Sequence, residues 1–190
     1  MEAFLISMTS LAIAEMGDRT QLLSLALAAR FRRPWPIFAG ILCATLANHA
    51  AAGVVGAFFG NLVNPQKLDA LVGVSMIAMA LWTLKPDKLD EDGTTVRRAS
   101  AFMTTLIAFF IAEIGDKTQI ATLALAAAYP SLIAVVAGTT CGMVLANAPV
   151  VFLGNAFADR LPMGSIRYGA AALFTVLGIA FIARAALNAT

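Results

Sequence analysis

The sequence predicts an all-α integral membrane protein of six transmembrane helices, arranged as two inverted-topology three-helix repeats. Three observations carry this. The 190 residues are 60% hydrophobic and 13% charged, with a mean hydropathy of +0.83; a soluble domain has about 45–50% apolar and about 25% charged residues. Apolar runs near the length of a membrane span, about 20 residues, fall at about 3–28, 36–60, 68–84, 102–128, 132–153 and 168–187. Residues 13–29 recur as residues 111–127, with 12 of 17 positions identical at a constant offset of 98. The chain is a duplication, and six spans leave no room for a separate soluble domain.

The breaks between the runs carry helix-ending residues. Arg30 to Pro36, with Arg32, Arg33 and Pro34, closes the first run, and Asn61 to Gln66 with Pro65 closes the second. Tyr129-Pro130-Ser131 predicts a tight turn after the fourth. The long polar stretch from Lys85 joins the halves, giving a first repeat over 1–84, a cytoplasmic linker over 85–101 and a second, inverted repeat over 102–190. Asp87, Asp90, Glu91, Asp92 and Gly93 in that linker lack the register of a calcium loop and read as a solvated connector. Met1-Glu2 supplies no basic segment and Glu15 interrupts the first run, so a cleaved signal peptide is not expected.

Three spans per repeat is an odd number, so the second copy enters the membrane from the opposite face. The charges agree. Arg30, Arg32, Arg33, Lys85, Lys88, Arg97, Arg98, Arg160 and Arg167 fall beside loops on one side; only Lys67 and Arg184 lie near the other. The positive-inside rule places the nine in the cytoplasm and both termini outside the inner membrane. The duplicated segments then run antiparallel, as in inverted-repeat transporters with a midplane site.

The repeat extends further. Ala39-Gly40, Cys43 and Gly56 match Ala137-Gly138, Cys141 and Gly154, and Leu46-Ala47-Asn48 matches Leu145-Ala146-Asn147 after a one-residue slip. Pro149 is expected to kink the fifth span and free the carbonyl of Leu145. The two cysteines sit in apolar runs and are expected to be buried small hydrophobes, with no disulfide implied.

Each copy of the repeat puts two acids in an apolar run: Glu15 with Asp18, and Glu113 with Asp116. Read as continuous helix, the i, i+3 spacing sets both acids of a pair on one face. A charge at a span centre costs about 2.5–3.5 kcal/mol on the insertion scale, so the acids need neutralising. Arg19 and Lys117 are the charge partners at hand; four acids minus two bases leaves an excess of two negative charges. One divalent cation, or two protons, balances that excess. Thr20, Gln21, Thr118, Gln119, Asn48 and Asn147 complete an all-oxygen donor set suited to Ca²⁺, Mn²⁺ or Mg²⁺. No paired Cys or His supports a soft-metal site, and His49 reads as a packed or hydrogen-bonded residue, a proton relay being the minority reading. Gly17 and Gly115 are compatible with close helix approach.

Glu15-Met16-Gly17-Asp18-Arg19-Thr20 and Glu113-Ile114-Gly115-Asp116-Lys117-Thr118 resemble the doubled motif of the GDT family of cation transporters, which includes Golgi manganese and calcium transporters and bacterial manganese exporters. The resemblance implies transport of Mn²⁺ or Ca²⁺ against protons, with Glu15, Asp18, Glu113 and Asp116 as ligands and the metal as transported substrate rather than cofactor. Burial and mutual repulsion favour proton binding by such acids, so protons and cation compete for one site and their fluxes couple. The partners implied are the metal ion, protons and the bilayer; a homo-oligomer is compatible, and a nucleic-acid partner is not called for. The chain is not expected to be an enzyme. Two other classes stay open: an intramembrane aspartyl protease with Asp18 and Asp116 as its dyad, and an exporter of small organic anions bound at Arg19 and Lys117.

Overall fold

The computed structural model describes residues 1–84, 100–153 and 163–187. The linker readings at 85–99, the basic residues there, Arg160 and Gly154 lie outside the described residues. Eight helices are described: α1 Glu2–Glu15, α2 Arg19–Phe31, α3 Pro34–Leu62, α4 Pro65–Thr83, α5 Ala101–Glu113, α6 Lys117–Ala128, α7 Leu132–Leu153 and α8 Met163–Leu187. Local chemistry explains most of the ends. Pro34 and Pro65 open α3 and α4, where the missing N–H removes no helical bond. Asn64 and Ser100 cap α4 and α5 by accepting from the amides of Gln66 (3.0 Å) and Met103 (3.3 Å). The predicted Tyr129–Ser131 turn separates α6 from α7.

The first and fourth apolar runs are each broken in two, which corrects the reading of continuous spans. The breaks fall inside the duplicated motif. Gly17 and Gly115 adopt φ of 80° and 73°, the left-handed region in which a side chain is strained, and Asp18 and Asp116 follow in extended geometry as the N-cap residues of α2 and α6. The glycines therefore serve to interrupt the helix; a Cβ on Gly115 would meet nothing within 4 Å, so close packing is not its role.

By length and composition, α3, α7 and the Tyr168–Leu187 part of α8 are apolar enough to cross a membrane. Two apolar clusters flank the motif breaks. One gathers Leu11 and Ala14 of α1, Val72 and Met76 of α4, Ala121 and Leu125 of α6, and Phe174 and Phe181 of α8. The other gathers Leu27 of α2, Ile37, Ile41 and Ala44 of α3, and Ala101 and Phe109 of α5. Each broken pair thus has one arm in each cluster, with the acids between them. Large apolar side chains such as Phe58, Leu71, Ile133 and Val176 cover the outside, as a lipid-facing surface requires.

The two halves pack with roles exchanged. A Cβ at Gly138 of α7 would lie 2.5 Å from the Phe4 carbonyl oxygen and 2.9 Å from the Ser7 Cβ of α1; one at Gly40 of α3 would lie 2.9 Å from the Phe102 oxygen and 2.8 Å from the Thr105 Cβ of α5. All three residue pairs, 40 and 138, 4 and 102, 7 and 105, differ by 98.

Cys43 and Cys141 are exposed, against the expected burial. The buried stripe of α3 runs through Gly40, Ile41, Ala44, Thr45 and Asn48, and Cys43 lies off it. A small apolar side chain tolerates either face of a helix in lipid, so the apolar run did not decide the side.

Candidate functional site

Both interrupted helices bring their broken ends to one place. Glu15 is the last residue of α1 and Asp18 precedes α2; Glu113 closes α5 and Asp116 precedes α6. The acids of each pair therefore stand on opposite sides of a break, and not one turn apart on a single helical face. Tertiary packing then mixes the copies: carboxylate oxygens of Glu15, Asp18 and Asp116 lie within 4.8 Å of one another, all three buried. Broken helices with their ends at a shared polar site recur in transporters, where helix termini and freed backbone groups contact the ion.

The bases cross-brace the copies. Lys117 Nζ lies 2.6 Å from Asp18 Oδ1, and Arg19 Nη2 lies 3.3 Å from Asp116 Oδ1. Each base pairs with the acid of the other motif. Arg19 Nη2 also donates to the Ala112 carbonyl at 2.6 Å.

Glu113 stands apart from the three-acid cluster. Its Oε1 accepts from Thr45 at 2.6 Å and its Oε2 from the Asn48 amide at 3.1 Å; Asn48 also donates to the Phe110 carbonyl. Glu15, its counterpart, accepts from Thr20 through Oε2, while its buried Oε1 has no hydrogen-bond partner among the described residues. An unpartnered buried carboxylate oxygen is costly, and this one belongs to the cluster whose oxygens converge. Thr118, the counterpart of Thr20, turns to Asp116 Oδ2 at 3.2 Å.

The remaining polar residues divide. Gln21 and Gln119 each accept, through Oε1, the amide of Gly17 or Gly115 at 2.8 Å. A glutamine reaching back across a helix start in this way fixes the break, so these oxygens serve the backbone. Gln21 Nε2 donates to the Ala146 carbonyl at 3.1 Å, next to Leu145 and three residues before Pro149. Asn147 accepts from Ser24 at 2.7 Å and donates to Met143, so the two asparagines do not play equivalent parts. His49 is buried, and neither ring nitrogen has a hydrogen-bond partner among the described residues. Thr45 and Ser24 were missed in the sequence; each sits one turn from a singled-out polar residue on the same helix, which is the signal that marks them.

The description "Divalent cation/proton antiporter GDT1" matches the chain twice, over residues 3–91 and 101–189. The chain is 49% identical over 181 residues to the "Putative manganese exporter" of Vibrio cholerae serotype O1, covering 95% of this chain and 90% of that one. It is 24% identical to "GDT1-like protein 4" of Oryza sativa subsp. indica, covering 87% of this chain and 67% of that protein. No solved structure matches. A membrane protein whose two halves each match one transporter family belongs to it: the chain is a member of the GDT1 family of divalent cation/proton antiporters.

Proposed function

We propose that the protein exports Mn²⁺ from the cytoplasm in exchange for protons, with Ca²⁺ as a second substrate of the same site. The observation that carries this is the convergence of Glu15, Asp18 and Asp116 within 4.8 Å at a double helix break. An all-oxygen, acid-rich site suits a hard divalent ion and disfavours a soft one. Glu15, Asp18 and Asp116 form the starting ligand set, and Glu113 joins on release from Thr45 and Asn48. The manganese exporter of Vibrio cholerae, by its printed name, supports the choice of metal.

Six spans, α1–α2, α3, α4, α5–α6, α7 and α8, form two inverted repeats in this reading. The exchanged contacts of Gly40 and Gly138 support it, as does the double family match at an offset of 98. The charge asymmetry of the loops supports an inner-membrane orientation with both termini outside. Among the described residues, α4 and α8 join the apolar cluster around α1 and α6 but not that around α2 and α5. That asymmetry fits a state sealed on the terminal side, and rocking of the repeats reverses it.

Neither other class gains support. Asp18 and Asp116 are each engaged by a base, which does not fit a proton-sharing dyad, and the same pairing occupies the groups an organic anion needs. Flux of Mn²⁺ and Ca²⁺ into proteoliposomes under an imposed pH gradient tests the proposal. Proton-driven divalent flux that Glu15→Gln and Asp18→Asn abolish is the expected result; flux that survives both substitutions overturns the site assignment.

A further inference from the structure

Arg19 and Lys117 occupy equivalent positions of the duplicated motif, each the first residue of its helix. Their surroundings differ. The Arg19 side chain is 33% exposed and its guanidinium also holds the neutral Ala112 carbonyl. The Lys117 side chain is 3% exposed, and its ammonium lies 2.6 Å from Asp18. It also stands at the positive end of the α6 dipole, which repels a cation. Asp18, which the buried ammonium contacts, is one of the three acids that converge.

We propose that Lys117 is a tethered competitor of the transported cation, and that it sets both the affinity and the charge selectivity of the site. This rests on the cation-site reading given above. An incoming ion that uses the Asp18 oxygens must displace the ammonium from them. A divalent ion brings twice the charge it displaces and gains by the exchange; a monovalent ion brings the same charge and gains little. The tether thus rejects Na⁺ and K⁺ without a size filter. It also waits beside the vacated acid when the divalent ion leaves, which favours release, as a site that must both load and unload requires. Arg19 does not act this way, because its carbonyl partner and partial exposure keep it in place whatever Asp116 binds.

The test is Mn²⁺ binding to the purified full-length protein, with Lys117→Gln, Lys117→Met, Lys117→Arg and Arg19→Gln beside the wild type. Binding is measured in choline chloride and in NaCl at equal ionic strength. Removal of the charge in Lys117→Gln tightens Mn²⁺ binding in choline by about tenfold, as the loss of a close competing charge predicts, and makes binding weaken on exchange of choline for Na⁺. Lys117→Met repeats both effects and stands in if the glutamine variant does not fold. Lys117→Arg keeps weak binding and indifference to Na⁺, and Arg19→Gln shifts the affinity far less than Lys117→Gln. A merely structural lysine predicts the opposite sign, a loss of affinity on its removal. Unchanged or weaker binding in both neutral variants, against a wild type whose binding Asp18→Asn abolishes, overturns this proposal alone. A wild type that binds no Mn²⁺, or an Asp18→Asn variant that binds it equally well, overturns the cation site and this proposal with it.

Discussion

Gly73 and Gly178 meet where α4 crosses α8, and each sees in its partner what its partner sees in it. A Cβ on Gly73 would lie 2.8 Å from the Gly178 carbonyl oxygen and 2.6 Å from Ile182 Cγ1; one on Gly178 would lie 2.8 Å from the Gly73 oxygen and 2.7 Å from Ile77 Cγ1. Both residue pairs, 73 with 178 and 77 with 182, differ by 105. The relation places a local two-fold between the helices and leaves no room for a methyl group on either side.

Gly73→Ala and Gly178→Ala therefore each destabilise the protein by about 1–3 kcal/mol, the usual cost of overpacking, and by similar amounts. Thermal unfolding in detergent reads this. Gly169→Ala is the control, because a Cβ there meets nothing within 4 Å; equal losses in all three variants would show that the crossing is not the cause.

Asp69 and Arg184 form a charge pair between the same two helices, through two hydrogen bonds. Asp69 is buried and the Arg184 side chain about half exposed. Arg184→Ala leaves a buried, uncompensated carboxylate, an arrangement that costs about 3–5 kcal/mol where burial is complete. Asp69→Asn leaves an arginine that can turn outward, as at surface pairs worth about 0–1 kcal/mol. The arginine variant should unfold at the lower temperature; the reverse order would show that Asp69 reaches solvent.

Geometry ranks the four acids of the site. Glu15→Gln, Asp18→Asn and Asp116→Asn should each weaken Mn²⁺ binding by at least about tenfold, since even a ligand's supporting partner is worth about 10–100-fold. Glu113→Gln should weaken equilibrium binding less while still slowing flux, because Glu113 is held by Thr45 and Asn48 outside the cluster. Binding titrations alongside proteoliposome flux separate the two. Equal loss of binding in all four variants would mean that Glu113 is a resident ligand.

The helix break has its own signature. At Gly115, with φ of 73° and open space around it, alanine adds backbone strain of about 1–2 kcal/mol and no clash. Asparagine, which tolerates this region better, should lose less stability and retain more flux. If alanine proves as active and stable as glycine, the left-handed geometry is not what positions the site.

Much of this was legible in the chain because it rests on local chemistry. The 98-residue repeat, the punctuation at Pro34, Pro65 and Tyr129-Pro130, and the acids within apolar runs are properties of neighbours in sequence. The break at Gly17 and Gly115 was legible in principle, since a Gly-Asp pair ends one helix and caps the next, but the unbroken apolar run argued for continuity and won. The last helices of the two halves, α4 and α8, share only a faint likeness around Gly73 and Gly178, at an offset of 105 rather than 98, and their kinship shows only where they touch.

What the sequence alone determined is that two acidic motifs lie within apolar segments of a duplicated chain, for the cost of placing charge in lipid makes that pattern stand out. What only the tertiary structure decided is who pairs with whom. Lys117 goes to Asp18 of the other motif, Arg19 goes to Asp116, and Glu113 is drawn away to Thr45 and Asn48. Those choices depend on how four broken helical arms cross, over separations of 65 to 99 residues. No local propensity encodes such distances. The packing of small residues against backbone fixes the crossings, and the charges then pair with whatever the crossings bring within reach.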